Sequence, residues 1–397
     1  MKPARRIAID TIFPDVDNGR FLAKGIVNWP TRVAADIVCD GHEVLFCLLH
    51  YRGPHQESWT TIPLTHAGND RWEARFTPDQ IGIWEYTVSG GVDKFQTWFR
   101  DLKQRSDAGD DLHGELAEGQ RLIETVLLKT PTQHTAQLRQ FHATLIGPDG
   151  YAAACSPHLA SLMAAYADRS EDTWLKAPRR MCVERKRAAF GSWYEAFPRS
   201  WGAAGKHGTL RDIAHSADYM ASMGFDVLYL PPIHPIGTSF RKGKNNSATA
   251  QPDDVGSPWA IGSPEGGHFD IHPELGTLAD FEFLQEKLSE RGMEVALDLA
   301  LQCSPDHPWV IDHPEWFRHR VDGTIRYAEN PPKKYQDIYP LDFDSKDWLG
   351  LWHAVRAIVE TWITRGVRIF RVDNPHTKPF DFWEWLLADV RQTHPDV

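Results

Sequence analysis

From Gly191 onward one pattern occurs three times: an amphipathic helix, a glycine that ends it, and a short apolar strand. The first helix opens at Thr209 with Asp212 three residues later, turns Leu210, Ile213, Ala217 and Met220 inward, and stops at Gly224 before "FDVLYLPP". That is a capping-box start followed by a glycine stop. The second opens at Thr277 with Asp280, buries Leu278, Phe281, Leu284 and Leu288, and stops at Gly292 before "MEVALDLAL". The third carries Trp348, Trp352, Val355, Val359 and Trp362 on one face, and Gly366 feeds "VRIFRVD". Strands without polar alternation are covered on both faces, which requires a parallel sheet. With "WYEAF" ahead of them, "DVLYL", "EVALDL" and "RIFRV" predict strands one to four of an incomplete (β/α)8 (TIM) barrel over residues 191–397. A closed barrel needs eight strands, and four leave an edge of unpaired backbone. The 397 residues are therefore expected to be the N-terminal portion of a longer protein.

Residues 1–104 have a different grammar. "RVAADIV", "EVLFCLLHY", "RWEARF", "IWEYTV" and "FQTWFR" are short runs separated by turn residues, which predicts an immunoglobulin-like antiparallel β-sandwich. Helical spacing takes over at 105–180, a helical insertion, and 181–190 is a candidate for returning to the sandwich.

The composition narrows the function. With 54 acidic and 43 basic residues the formal charge is -11, which disfavours a nucleic-acid surface. Five widely spaced cysteines without a CxxC pair suggest neither a disulfide framework nor a zinc site, and fit a reducing, cytoplasmic setting. No run approaches the roughly 20 apolar residues of a membrane span. The 16 tryptophans and 19 phenylalanines suit sugar-stacking surfaces and large cores equally, so they do not choose between them.

In an α/β barrel the chemistry sits where strands end, which selects Asp298, Arg371 and Asp373. Asp373 follows Arg371 by two, so strand alternation points both side chains to the barrel interior. A guanidinium beside a carboxylate favours its ionised form, as a nucleophile requires; a structural pair closing the barrel end is the competing reading. Asn374 and His376 follow at the rim. The loops at 231–276 and 301–347 far exceed the usual 2–6 residues, a length that usually accompanies function. They carry the basic turns "RKGKNN" and "PPKKY", which are either solvated or phosphate-binding.

The blocks "YEAFPRSW", "GFDVLYLPPIHPIG", "DLALQCSPDHP", "AENPPKKYQDIYPLDF" and "GVRIFRVDNPHTKP" resemble the alpha-amylase superfamily, and within it the maltose-1-phosphate-dependent maltosyltransferases, the GlgE type. The resemblance covers nearly the whole chain. It implies transfer of a maltosyl unit from α-maltose 1-phosphate to the non-reducing end of an α-1,4-glucan, with retention and release of phosphate, in glycogen or α-glucan synthesis. It makes Asp373 the nucleophile and Arg371 its support. Lys242, Gln302, Asp337 and Asn374 become donor-binding positions, and Asn330, Lys333 and Tyr335 belong to the phosphate pocket, with His376 nearby. It also implies a homodimer and no cofactor. Gln302-Cys303 stands where many amylases have Asn-His, the site of a calcium ligand, so no metal is expected. Nothing near Cys303 in sequence would ionise it as a second nucleophile. The family's general acid, a Glu ending strand five, and its third acidic residue have no counterpart up to Val397, so these residues alone are expected to be inactive.

Two readings compete. An amylase-like hydrolase acting on neutral glucan would not need the lysine pair of "PPKKY", and a phosphorylase stands beside it as an alternative. A non-catalytic glucan-binding protein would keep the aromatic surface and lack turnover.

Overall fold

The computed structural model describes residues 6–128 and 132–397, excepting the side chains of residues 132 and 133. These form two compact units, the first ending at Lys186 and the second running over Arg187–Val397.

In the first unit two sheets enclose one apolar core. Ile7–Phe13, Thr31–Cys39, Arg71–Phe76 and Thr65–His66 form one sheet; Ala23–Ile26, Arg179–Glu184, Gly82–Val92, Leu45–Arg52 and Thr60–Pro63 form the other. Val33, Ala35 and Ile37 of the first meet Leu49, Tyr86, Val88 and Met181 of the second, each essentially inaccessible to solvent. Most pairings are antiparallel, but Arg179–Glu184 runs parallel to Ala23–Ile26. One expected strand is a helix. "FQTWFR" lies within Lys94–Ala108, where Asp93 accepts the Gln96 N–H as N-cap and Phe95, Trp98 and Leu102 share a buried face. Residues 94–104 therefore open the helical part, whose five helices have an apolar core of their own.

The second unit is a four-stranded parallel sheet in sequential order: β1 (Trp193–Glu195), β2 (Val227–Leu230), β3 (Glu294–Leu299) and β4 (Ile369–Val372). This is the incomplete barrel of the sequence pattern. Both predicted capping boxes form: Thr209 and Thr277 each accept from the backbone three residues on, and Asp212 and Asp280 return the bond. The first helix is interrupted at His215–Ser216, giving α1 (Leu210–Ala214) and α2 (Ala217–Ser222); neither residue is a strong helix former. α3 (Leu278–Ser289) and α4 (Trp348–Thr364) are continuous. Leu278 and Trp348, expected inward, are exposed because each is the first residue of its helix, ahead of the turn that meets the sheet. Gly224, Gly292 and Gly366 all adopt positive φ, the left-handed stop that admits glycine without strain. β3 is buried nearly throughout, whereas every residue of β4 is partly exposed, so full coverage of both faces does not extend to this edge strand.

Candidate active site

At the C-terminal ends of β2, β3 and β4 three side chains interlock. The Asp298 carboxylate is wholly buried; its Oδ2 accepts from the Tyr229 hydroxyl at 2.5 Å and from Arg371 Nη1 at 3.2 Å. The same Nη1 donates to Asp373 Oδ1 at 2.7 Å, and Asn374 Nδ2 donates to Asp373 Oδ2 at 3.2 Å. The Arg371 guanidinium also lies 5.5 Å from the centre of the Tyr229 ring. Strand alternation thus does place Arg371 and Asp373 together, and the Asp373 N–H is tied to the Leu299 carbonyl at 3.1 Å. Burial pushes Asp298 up to about 6 against the bond from Tyr229 and the charge of Arg371.

Asp373 opens onto a cleft of about 1100 Å³. Of the residues singled out from sequence, Lys242, Gln302, Asn330, Tyr335, Asp337, Asn374 and His376 also line it. Arg371 lies behind Asp373 and does not line it, and Lys333 is an exposed member of the hairpin Ala328–Asn330/Lys333–Tyr335 opposite Asn330. Gln302 Nε2 donates to the Trp259 carbonyl at 3.2 Å, and Lys242 Nζ to the Lys334 carbonyl at 3.3 Å. Asp337 is buried with Oδ1 lacking a hydrogen-bond partner; burial raises its pKa, opposed by the charge of Lys242. Asn374 takes a left-handed backbone, a conformation Asn tolerates better than most residues, which turns the chain out of β4 into the rim. Asp342 and Asp344 are engaged by Arg318, at 3.0 and 3.2 Å.

Sequence reasoning missed Tyr229, Trp259 and Lys378. Tyr229 was visible only as the one polar group in "VLYL". Lys378 lines the cleft from the loop after β4, its pKa lowered by burial against the attraction of Asp373.

His268, Cys303 and His307 bring their ligand-type atoms within 4.8 Å of one another. The two imidazoles are already hydrogen-bonded. The Trp309 N–H donates to His307 Nδ1, so the proton of neutral His307 sits on Nε2 and faces His268 Nδ1 at 3.2 Å; His268 Nε2 donates to the Ala300 carbonyl at 2.9 Å. Burial holds His268 at about 3 and His307 at about 2, and drives the Cys303 thiol well above its usual range. A cation here would have to displace a satisfied bond and ionise a resistant thiol, so the cluster reads as structural.

Residues 5–185 match the family model described as alpha-1,4-glucan:maltose-1-phosphate maltosyltransferase, domain N/S, and residues 166–356 match alpha amylase, catalytic domain. The chain is 47% identical to the alpha-1,4-glucan:maltose-1-phosphate maltosyltransferase of Chlorobaculum tepidum over 99% of its own length and 59% of that protein's. Against the enzyme of the same name from Methylacidiphilum infernorum the identity is 45%, over 99% and 59%. The crystal structure of an alpha-amylase from Lactobacillus plantarum is 31% identical, with a TM-score of 0.44 over 52% of this chain and 43% of that one. The chain is thus similar to alpha-1,4-glucan:maltose-1-phosphate maltosyltransferases over nearly all of its own length, carries a match to the alpha amylase catalytic domain, and spans about three-fifths of the length of the curated relatives it matches.

Proposed function

We propose that the protein transfers a maltosyl unit from α-maltose 1-phosphate to the non-reducing end of an α-1,4-glucan, with net retention and release of phosphate. The observation that carries this reading is Asp373, fixed by Arg371 and Asn374 at the mouth of a cleft that also holds Lys242, Asn330 and Tyr335. The Asp373 carboxylate attacks the anomeric carbon as the bond from that carbon to the phosphate oxygen breaks, leaving a maltosyl ester on the enzyme. An acceptor hydroxyl then attacks the same carbon, frees the carboxylate and gives up its proton to a base. Two displacements restore the starting configuration. A second carboxyl group about 5 Å from the first is needed to handle the protons; by resemblance it ends the strand after β4. Lysine and amide donors suit the phosphate end, and Gln302, Asp337 and Asn374 suit sugar hydroxyls.

The reading extends to a cytoplasmic enzyme of glycogen or α-glucan synthesis working as a homodimer. Five cysteines, none of them in a disulfide, support a reducing compartment, and the dimer follows from the family resemblance. Phosphate release from α-maltose 1-phosphate should require added maltooligosaccharide. Equal release with water alone would replace transfer by hydrolysis.

A further inference from the structure

Two buried polar atoms at the back of the cleft lack partners. Asp298 Oδ2 has two donors while Oδ1 has none, and the Trp259 indole Nε1 is also buried and unbonded. They belong to one another. The indole N–H acts on Asp298 from close by, favouring its ionised form, yet each atom is left without a formed hydrogen bond. Leaving two buried polar groups unpaired is costly, so a ligand that closes the pair gains free energy from doing so. That loop is placed to respond to a ligand: Trp259 lines the cleft, its carbonyl accepts from Gln302 Nε2, and its ring packs edge-on against Phe197.

We propose that Trp259 is a positioning residue for Asp373. A ligand filling the cleft presses the indole N–H onto Asp298 Oδ1, and the completed bond frees Arg371 Nη1, now shared between Asp298 and Asp373, to serve Asp373 alone. The groups facing Asp298 are Tyr229 from β2, Arg371 from β4, Asp373 immediately after β4, and Trp259; Glu195 of β1 acts on Tyr229. Only the identity of the ligand rests on the proposed maltosyl transfer.

The test is the Trp259 indole resonance in [15N]tryptophan-labelled protein, assigned by its loss in Trp259→Phe. In the free protein it should follow a titration that disappears in Asp298→Asn. Saturating α-maltose 1-phosphate should move it downfield and slow its solvent exchange, again only with Asp298 present. A resonance that neither titrates nor responds to the donor overturns the proposal. One that titrates while the donor leaves the whole spectrum unchanged upholds the Trp259–Asp298 pair and overturns the assignment of the donor. Trp259→Phe, which keeps the ring and loses the N–H, should lower kcat about tenfold with KM within about twofold, since the bond is completed only after binding. A rise in KM with kcat unchanged would make Trp259 a plain binding wall and also overturn the proposal.

Discussion

Asp298 and Asp373 share one guanidinium and differ in everything else: the first has no exposed side-chain surface, the second faces the cleft. Asp373→Asn should reduce the proposed maltosyl transfer by at least about a thousandfold, measured as acceptor-dependent phosphate release, because in that mechanism the Asp373 carboxylate forms the ester. Asp298 has a testable pH signature. Its folded pKa, about 6, lies above the ordinary 3.8, so its contribution to stability is complete below the ordinary value and is lost as pH rises through about 6. The difference in urea stability between Asp298→Asn and the parent should therefore shift in the variant's favour by roughly 2.5 kcal/mol from pH 4 to 7. A difference flat with pH would contradict this. The pair Arg371–Asp373 was legible because alternation along one strand is a local rule. Tyr229 was not, because its partner Asp298 belongs to another strand, and Trp259 was not, because it reaches the cleft from a distant loop; no local rule covers either.

Among the elements, the helix–glycine–strand units were read nearly in full, since caps, stops and periodicity are all local signals. Thr277→Ala should cost about 1 kcal/mol of unfolding free energy, measured in urea, by removing a cap whose side chain receives the Asp280 N–H. Gly292→Ala should cost about 1 kcal/mol through its left-handed backbone alone, since an added Cβ would meet nothing within 4 Å. Gain of stability at either position would refute the reading of that terminus. "FQTWFR" failed for an instructive reason. Aromatic and β-branched residues suggested a strand, while the helical spacing of Phe95, Trp98 and Leu102 emerges only with the Asp93 cap and residues beyond the run. The break at His215–Ser216 and the exposure of Leu278 and Trp348 depend on how each helix meets the sheet.

For the molecule as a whole, the buried imidazoles of the second unit set its acid tolerance. Burial holds His234 at about 4, His268 at about 3 and His307 at about 2, all below the ordinary 6.5. Their contribution is present above 6.5 and is lost as pH falls toward those values, by up to roughly 1.4 kcal/mol per pH unit for each imidazole. Asp298 opposes only part of this. Urea unfolding followed by tryptophan fluorescence should show stability dropping from pH 6.5 to 5; a constant value across that range would contradict it. The fold class, an incomplete barrel behind a sandwich with helices, was legible from the order of periodicities. The cleft was legible only through family resemblance, because its walls come from loops brought together by the barrel.

The central claim is that Asp373 carries the maltosyl group. An α-maltosyl fluoride tests it most directly, because fluoride departs with little help from a proton donor. After incubation, mass spectrometry of the digested protein should find one maltosyl unit on the peptide containing Asp373 and none in Asp373→Asn. A maltosyl adduct on any other residue, or an adduct that survives Asp373→Asn, would contradict the account.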